Sequence, residues 1–251
     1  MRKAASPWHD IRLRQAVNYA INRADLIRYA TKGNGEVIAA LVPPRGFGHD
    51  PNLVPYPFDP AKARQLLQEA GYPDGLTLTL IAPRALEVQA AVISKMLEQI
   101  GFKMVLEVLD GLAYNQKTLL SHLDQPAETQ TWDIALRSFF DQTNFPPLRV
   151  YQVFVIDGRN DWIIEQPPLR RLYDQALRTV DQEQQQELIH QMERYTRNQA
   201  YFLFLYNPIN LYAVNKAVQF VPYVTGILHL VETSVTDQHW SVRKQKVTAE
   251  K

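Results

Sequence analysis

The order of apolar and polar positions divides this chain into alternating helical and extended segments. The best punctuated segment runs from Tyr56 to Gly75. Asp59-Pro60 opens a helix, with Asp accepting from free N–H groups and Pro at the first position, where its missing donor costs nothing. Ala61, Ala63, Leu66, Leu67 and Ala70 recur at helical spacing, and Gly71 ends the run. After a turn over Tyr72–Gly75, Leu76, Leu78 and Leu80 alternate with Thr77 and Thr79, which predicts a strand. Upstream, Asp10 and Asn22 are cap signals dividing 10–30 into two helices or one bent one, with Ile11, Ala16, Val17, Ala20 and Ile21 near one face. The Gly- and Pro-rich stretch 33–55 reads as loop, with a short strand at Val37–Val42.

Downstream, a helix over Glu87–Ile100 carries a stripe of Val88, Ala91, Val92, Met96 and Leu97. A strand follows at Phe102–Leu109, then a helix at Leu112–Leu123 and a short strand at Trp132–Leu136. Strand, helix, strand at this spacing suits parallel pairing, so the fold class is α/β, a sheet flanked by helices. From Arg137 the pattern is irregular for about thirty residues, and a long loop inside a compact domain is uncommon unless it is functional. Helices at Leu169–Val180 and Gln182–Asn198 flank the cap signal Asp181, and strands are expected within AYFLFLYNP, NLYAVN and VQFVPY. The polar tail is expected to be disordered at its tip.

Composition narrows the function. A chain of 251 residues, 46% hydrophobic and 21% charged, is globular and can form one large domain or two smaller ones. The net charge of +1, from 27 basic and 26 acidic residues, supplies no field for nucleic acid or an anionic membrane, so no nucleic-acid partner is expected. The absence of cysteine removes disulfides, thiolate catalysis and cysteine metal sites. No window reaches the ~20 apolar residues of a membrane span, and the start, MRKAASPWHD, lacks the apolar run of an export signal. Phosphate loops, GxGxxG, GxSxG, HExxH and EF-hand patterns are absent, and the six histidines show no ligand spacing. No cofactor, no metal and no catalytic residue is therefore expected, although an enzyme with a carboxylate-based site stays open because spacing cannot exclude an acid pair.

Seven segments carry a resemblance in one order: DIRLRQAVNYAINRADLI, a Pro/Gly loop, PYPFDPAKARQLLQEAGYPDGLTLTL, QIGFKMVLEVL, WDIAL, LRRLYDQALRTVDQEQQQELIHQMERY and FLFLYNPINLYAVNKAVQFV. From about Asp10 to Tyr223 the chain resembles the C-terminal half of the family 5 extracellular solute-binding proteins, the peptide- and nickel-type binding components of ABC importers. The resemblance implies a bilobed periplasmic or extracellular receptor, lipid-anchored in the full-length family, that closes over a peptide or other small solute and presents it to ABC permease subunits. It implies residues 1–9 as a disordered or artificial leader, 10–205 as the second lobe, 206–243 as a hinge crossing with a partial first-lobe segment, and 244–251 as a disordered tail. The receptor's N-terminal half, with its export signal, is then an absent partner, and exposed strands from Phe202 onward invite a homo-oligomer. A vestigial or interaction-only fragment is the alternative.

Peptide-binding members place an amine-binding Asp after the WDIAL-like strand, in a Gly-Trp-x-x-Asp-Tyr-x-Asp-Pro type loop. Here the run is Arg137-Ser138-Phe139-Phe140-Asp141-Gln142-Thr143-Asn144-Phe145. Asp141 matches the amine-binding position, where a carboxylate facing an ammonium makes a strong charge-assisted contact. Ser138, Asn144 and Phe145 depart from the Trp, the second Asp and the Pro. Phe139 and Phe140 are placed to line a pocket beside Asp141, and Arg84, after the LTLTLI strand, falls where some members carry a carboxylate-binding Arg. The competing readings are an exposed acid or cap for Asp141, core packing for a Phe, and a solvated surface cation for Arg84.

Overall fold

The computed structural model describes residues 5–120, 126–138, 147–156, 167–223, 228 and 230–243. The chain divides into two compact units, Met1–Pro208 and Ile209–Lys251. In the first, the two expected N-terminal helices are α1 (Ile11–Ala20), capped by Asp10, and α2 (Arg23–Thr31), capped by Asn22. Strand β1 (Gly35–Val37) precedes the long loop. Asp59 caps α3 (Pro60–Glu69) through the Lys62 N–H, and β2 (Thr77–Pro83) follows. Then come α4 (Glu87–Glu98), β3 (Lys103–Leu109), α5 (Gly111–Asn115) and β4 (Ile134–Ala135). The short helix α6 (Pro147–Tyr151), α7 (Pro167–Arg178), α8 (Gln182–Asn198) and β5 (Tyr206–Pro208) complete the unit.

A three-stranded sheet runs in the order β3-β2-β4, both pairs parallel, while β1 and β5 form a separate antiparallel pair. Leu78, Leu80 and Ala82 project from β2 into the main core with Ala90, Ile93 and Leu97 of α4, and Leu13, Val17 and Leu26 of α1 and α2. On the opposite face Ile81 packs with Tyr114 and Trp132. Gly75 turns the chain into β2 at φ +84°, and a Cβ there would lie 1.8 Å from the Gly101 carbonyl oxygen, so only glycine fits this crossing of two turns.

Several expectations are corrected. The buried face of α4 is Ala90, Ile93, Ser94, Met96 and Leu97, and Val88 is exposed, because apolar residues surround this helix and the sheet selects one side. No strand forms over 38–42, where the Val42 N–H is taken by the buried Glu193 carboxylate at 2.8 Å. Between Arg137 and Pro167, α6 is a helix the two prolines concealed, since Pro147 occupies its first position. The helix expected at 112–123 is α5 continued by a wider π-helical turn over Gln116–Leu120, and 121–125 lie outside the described residues. Pro7–His9, placed in a disordered leader, form a 3-10 turn capped by Ser6.

The segment 201–206 is extended but only its end is strand. Leu203 and Leu205 pack on the main core, while Phe202 and Phe204 pack on a second core with Leu41, Tyr151, Leu169 and Ile189. Its carbonyls are bound by side chains: Asn18 Nδ2 donates to Phe202 O at 3.2 Å and Arg23 Nε to Phe204 O at 2.7 Å. Arg23 also donates to the carbonyls of Asn18, Ile21 and Tyr56 and to Asn18 Oδ1. Burial lowers its pKa to about 10.

In the second core, Glu193 accepts from the Tyr151 hydroxyl as well as from Val42. Burial, only partly offset by these bonds, raises its pKa from 4.5 to about 7. The second unit carries the antiparallel pair β6 (Val218–Gln219) and β7 (Ser234–Val235), and leaves Leu211, Leu230, Val231 and Trp240 exposed. The strand expected at NLYAVN is absent, and VQFVPY contributes only β6.

Arg23→Met leaves four carbonyls without their donor and is expected to lower unfolding free energy by ~3 kcal/mol or more in urea denaturation. For Glu193 the folded pKa lies above the unfolded one, so the stability it contributes is full below about 4.5 and falls as pH rises to about 7. Glu193→Gln, which keeps an acceptor without the charge, is expected to flatten that fall. Measured between pH 5 and 8, its stability relative to the parent should rise by on the order of 1–3 kcal/mol.

Candidate functional site

Parallel strands send their following loops out of one edge of the sheet. The order β3-β2-β4 also means that the chain leaves β2 toward β3 and then returns past it to β4, and the crevice at such a reversal is where α/β sheets bind ligands. Pro83 pairs with Leu109, and Ile81 with Ala135, so the carboxyl ends of all three strands lie together. The loops leaving this edge begin at Arg84, Asp110 and Leu136.

Of the five residues expected in the site, Arg84 and Ser138 are described and both lie on this edge. Phe139, Phe140 and Asp141 fall outside the described residues. Arg84 begins a 3-10 turn, Arg84–Leu86, that leads into α4. Its side chain is 72% exposed, with Glu87 as its one ion-pair partner among the described residues, loose at 3.9 Å, so it is held weakly. Ser138 is exposed. Gly111, at the start of α5, has open space where a side chain would stand.

A better-held group is one the sequence reading passed over. Alternation along β4 puts Ile134 and Leu136 with the main core and Ala135 on the opposite face, with Tyr114. Arg137 follows the same alternation, and its guanidinium stands 5.9 Å from the centre of the Tyr114 ring. Arg137 Nη2 donates to Thr118 Oγ1 at 3.1 Å, and that hydroxyl donates to Tyr114 O. The Tyr114 hydroxyl donates to Leu136 O at 2.7 Å, holding the first residue past β4. Burial raises the Tyr114 pKa, and the nearby Arg137 charge opposes that rise. Beside this cluster, Lys117 and Glu107 neutralise each other at 2.7 Å, and Asp110 caps the Ala113 N–H. The one signal in the sequence was parity: Arg137 is two residues past Ala135.

No group of three or more metal-ligating side chains occurs among the described residues, and no described helix is long and apolar enough to cross a membrane. The edge offers the Arg84 and Arg137 guanidinium groups and the Ser138 hydroxyl at a sheet crevice, an arrangement suited to holding a polar solute.

Residues 1–161 match the family described as bacterial extracellular solute-binding proteins, family 5, middle region. The glutathione-binding protein GsiB of Salmonella typhimurium is 32% identical over 174 residues, covering 64% of this chain and 34% of that protein. The chain thus spans about a third of the length of the curated relatives it matches. Among solved structures, the ABC transporter substrate-binding protein CtaP of Listeria monocytogenes aligns with a TM-score of 0.75 at 18% identity, over 91% of this chain and 47% of that one. The oligopeptide-binding protein AppA of Bacillus subtilis, in complex with a nonapeptide, aligns with a TM-score of 0.67 at 18% identity, over 91% and 48%. These relatives are solute-binding proteins, not enzymes.

Tyr114→Phe removes the hydroxyl and keeps the ring. It is expected to lower stability by about 1–2 kcal/mol and to speed amide hydrogen exchange at 136–138 more than in α3. Uniform acceleration would show that the bond does not act locally.

Proposed function

Because the chain belongs to the family 5 bacterial extracellular solute-binding proteins, we propose that it is the second-lobe part of an importer's receptor, taking a peptide-like solute at the carboxyl edge of the β3-β2-β4 sheet. The observation that carries this reading is the convergence of the Arg84 and Leu136–Ser138 loops on the reversal crevice of the sheet. The glutathione-binding relatives favour a short peptide or peptide-like solute. On this reading Asp141 meets the solute's ammonium, with Phe139 and Phe140 beside it, and Arg84 and Ser138 supply polar contacts. On the same reading residues 10–205 form the lobe and 206–243 cross toward a first lobe.

A clamshell receptor gains affinity by closing two lobes on one ligand, so a single lobe makes part of the contacts and leaves the rest to water. Calorimetry of this chain with glutathione or trialanine is expected to give a dissociation constant no tighter than roughly millimolar. Micromolar binding by the chain alone would overturn the two-lobe reading. When the chain is joined to a first lobe, Asp141→Ala is expected to weaken peptide binding at least about tenfold through loss of a charge-assisted contact. Unchanged affinity removes Asp141 from the site.

Leu211, Leu230, Val231 and Trp240 of the second unit are exposed, and this reading has them pack on the rest of a first lobe. In its absence the same surface is expected to pair copies of the chain. Light scattering across a concentration series should show a monomer–dimer equilibrium that Val231→Lys with Trp240→Ser abolishes.

A further inference from the structure

We propose that Asn34 is a modification site, converted by its own chain to aspartate and isoaspartate through attack of the Gly35 amide nitrogen. The reaction takes no cofactor, and water is the only other reactant.

Three observations carry it. The first is the nucleophile. Asn34-Gly35 is the single Asn-Gly pair in the chain. Beside the β1-β5 pair, the Ile38 N–H donates to Leu205 O at 3.5 Å, which makes the even-numbered residues of this strand the ones bonded to β5. Gly35, opposite Pro208, falls on the other parity, so its N–H points away from the ladder. It closes instead a three-residue turn about Asn34, donating to Gly33 O at 3.2 Å. Opening that one long bond frees the nitrogen and breaks no strand pairing.

The second is access. Gly35 carries no side chain to shield its nitrogen, and packing keeps it so: a Cβ there would lie 3.0 Å from Tyr206 Cδ2 and 3.3 Å from Ile27 Cγ1. The third is the electrophile. Asn34 is half-buried, and its Nδ2 donates to Thr31 O at 2.9 Å, which folds the carboxamide onto the end of α2. The fold thus uses an amide at 34 and requires glycine at 35, the residue that lets its own nitrogen be approached most closely.

The step balances without oxidant or reductant. The Gly35 N–H gives its proton to hydroxide and the nitrogen bonds to Asn34 Cγ. The Cγ–Nδ2 bond breaks, and the amide nitrogen takes a proton from water and leaves as ammonia. Water then opens the cyclic imide, at Cγ to give aspartate or at the main-chain carbonyl to give isoaspartate. Either product loses the donor to Thr31 O and sets a negative charge at the C-terminal end of α2, where the helix dipole opposes it. Isoaspartate also adds a methylene to the main chain just before β1, which disturbs its register with β5.

The test incubates the whole 251-residue chain under native conditions at mildly acidic and mildly alkaline pH, beside the synthetic peptide 33–45 as an unfolded reference. Trypsin cuts after Lys32 and Arg45, so the same peptide, with Asn34 its one asparagine, reports conversion by mass and isoaspartate by fragmentation. The folded chain is expected to convert Asn34 faster than any other asparagine and within about tenfold of the peptide's rate, because only a local turn must open. Conversion should speed up with pH, since the deprotonated nitrogen attacks. Gly35→Ala is expected to slow it at least about tenfold by crowding the nucleophile. Asn34→Gln, which keeps an amide but needs a larger ring, is expected to stop it, and serves if the Ala variant does not fold. In the converted chain, amides 35–38 should exchange faster with solvent while those of α3 do not change.

Asn34 that stays intact while the free peptide converts fully would overturn the proposal, as would conversion no faster than at the other asparagines. An undiminished rate in folded Gly35→Ala would also overturn it. Unchanged exchange at 35–38 in the converted chain would overturn the structural consequence drawn for β1.

Discussion

Everything in the first unit depends on how the backbone of 202–206 is satisfied. This segment runs between two hydrophobic cores and, short of β5, its backbone meets the facing segment through the Ile38 N–H to Leu205 O, which leaves the Phe202 and Phe204 carbonyls to other donors. The chain meets the need with Asn18 and Arg23, which reach it from the end of α1 and the start of α2. Arg23 is a buried cation whose partners are carbonyl oxygens from three separate stretches of chain, so it welds α1, the loop at Tyr56 and the crossing segment together. Desolvating a guanidinium is costly, and only a nearly complete set of acceptors makes it tolerable. Losing one element of the set therefore exposes the others.

The second core solves a similar problem with the opposite charge. Glu193 receives the Val42 N–H from the long Pro/Gly loop and the Tyr151 hydroxyl from α6, fastening both to α8. Asp50, itself paired with Arg194 at 2.7 Å, adds a like charge nearby that helps push Glu193 upward. Irregular backbone in this protein is thus ordered by single buried polar side chains on helices, a device that packs loops without lengthening the sheet.

Those anchors lie away from the carboxyl edge of the sheet, where the proposed site is placed. The sheet has only three strands, but its order reverses at β2, and the reversal brings the Arg84 and Leu136 loops to one crevice. Tyr114 supports that crevice through a bond to Leu136, the first residue past β4, and a ring beside Arg137. On the proposed reading such a support would favour binding, since affinity is lost whenever binding must first order its own contacts.

Local pattern alone determined much of this protein. Caps at Asp10, Asn22, Asp59 and Asp181, the bounds of α8 and the parallel pairing of β2 with β3 were legible, because each rests on contacts a few residues apart or on a period set by the helix or strand itself. The strand order β3-β2-β4, which the pattern did not supply, is what sets Arg84 and Ser138 at one edge. What only the tertiary structure decided was how buried polar groups are partnered: Asn18 with Phe202 across 184 residues, Arg23 with Phe204 across 181, Glu193 with Val42 across 151. It likewise chose which side of α4 is buried and turned Arg137 toward Tyr114. Such partners leave no periodic trace in the chain, since a hydrogen bond between distant segments fixes a distance in space and none in sequence.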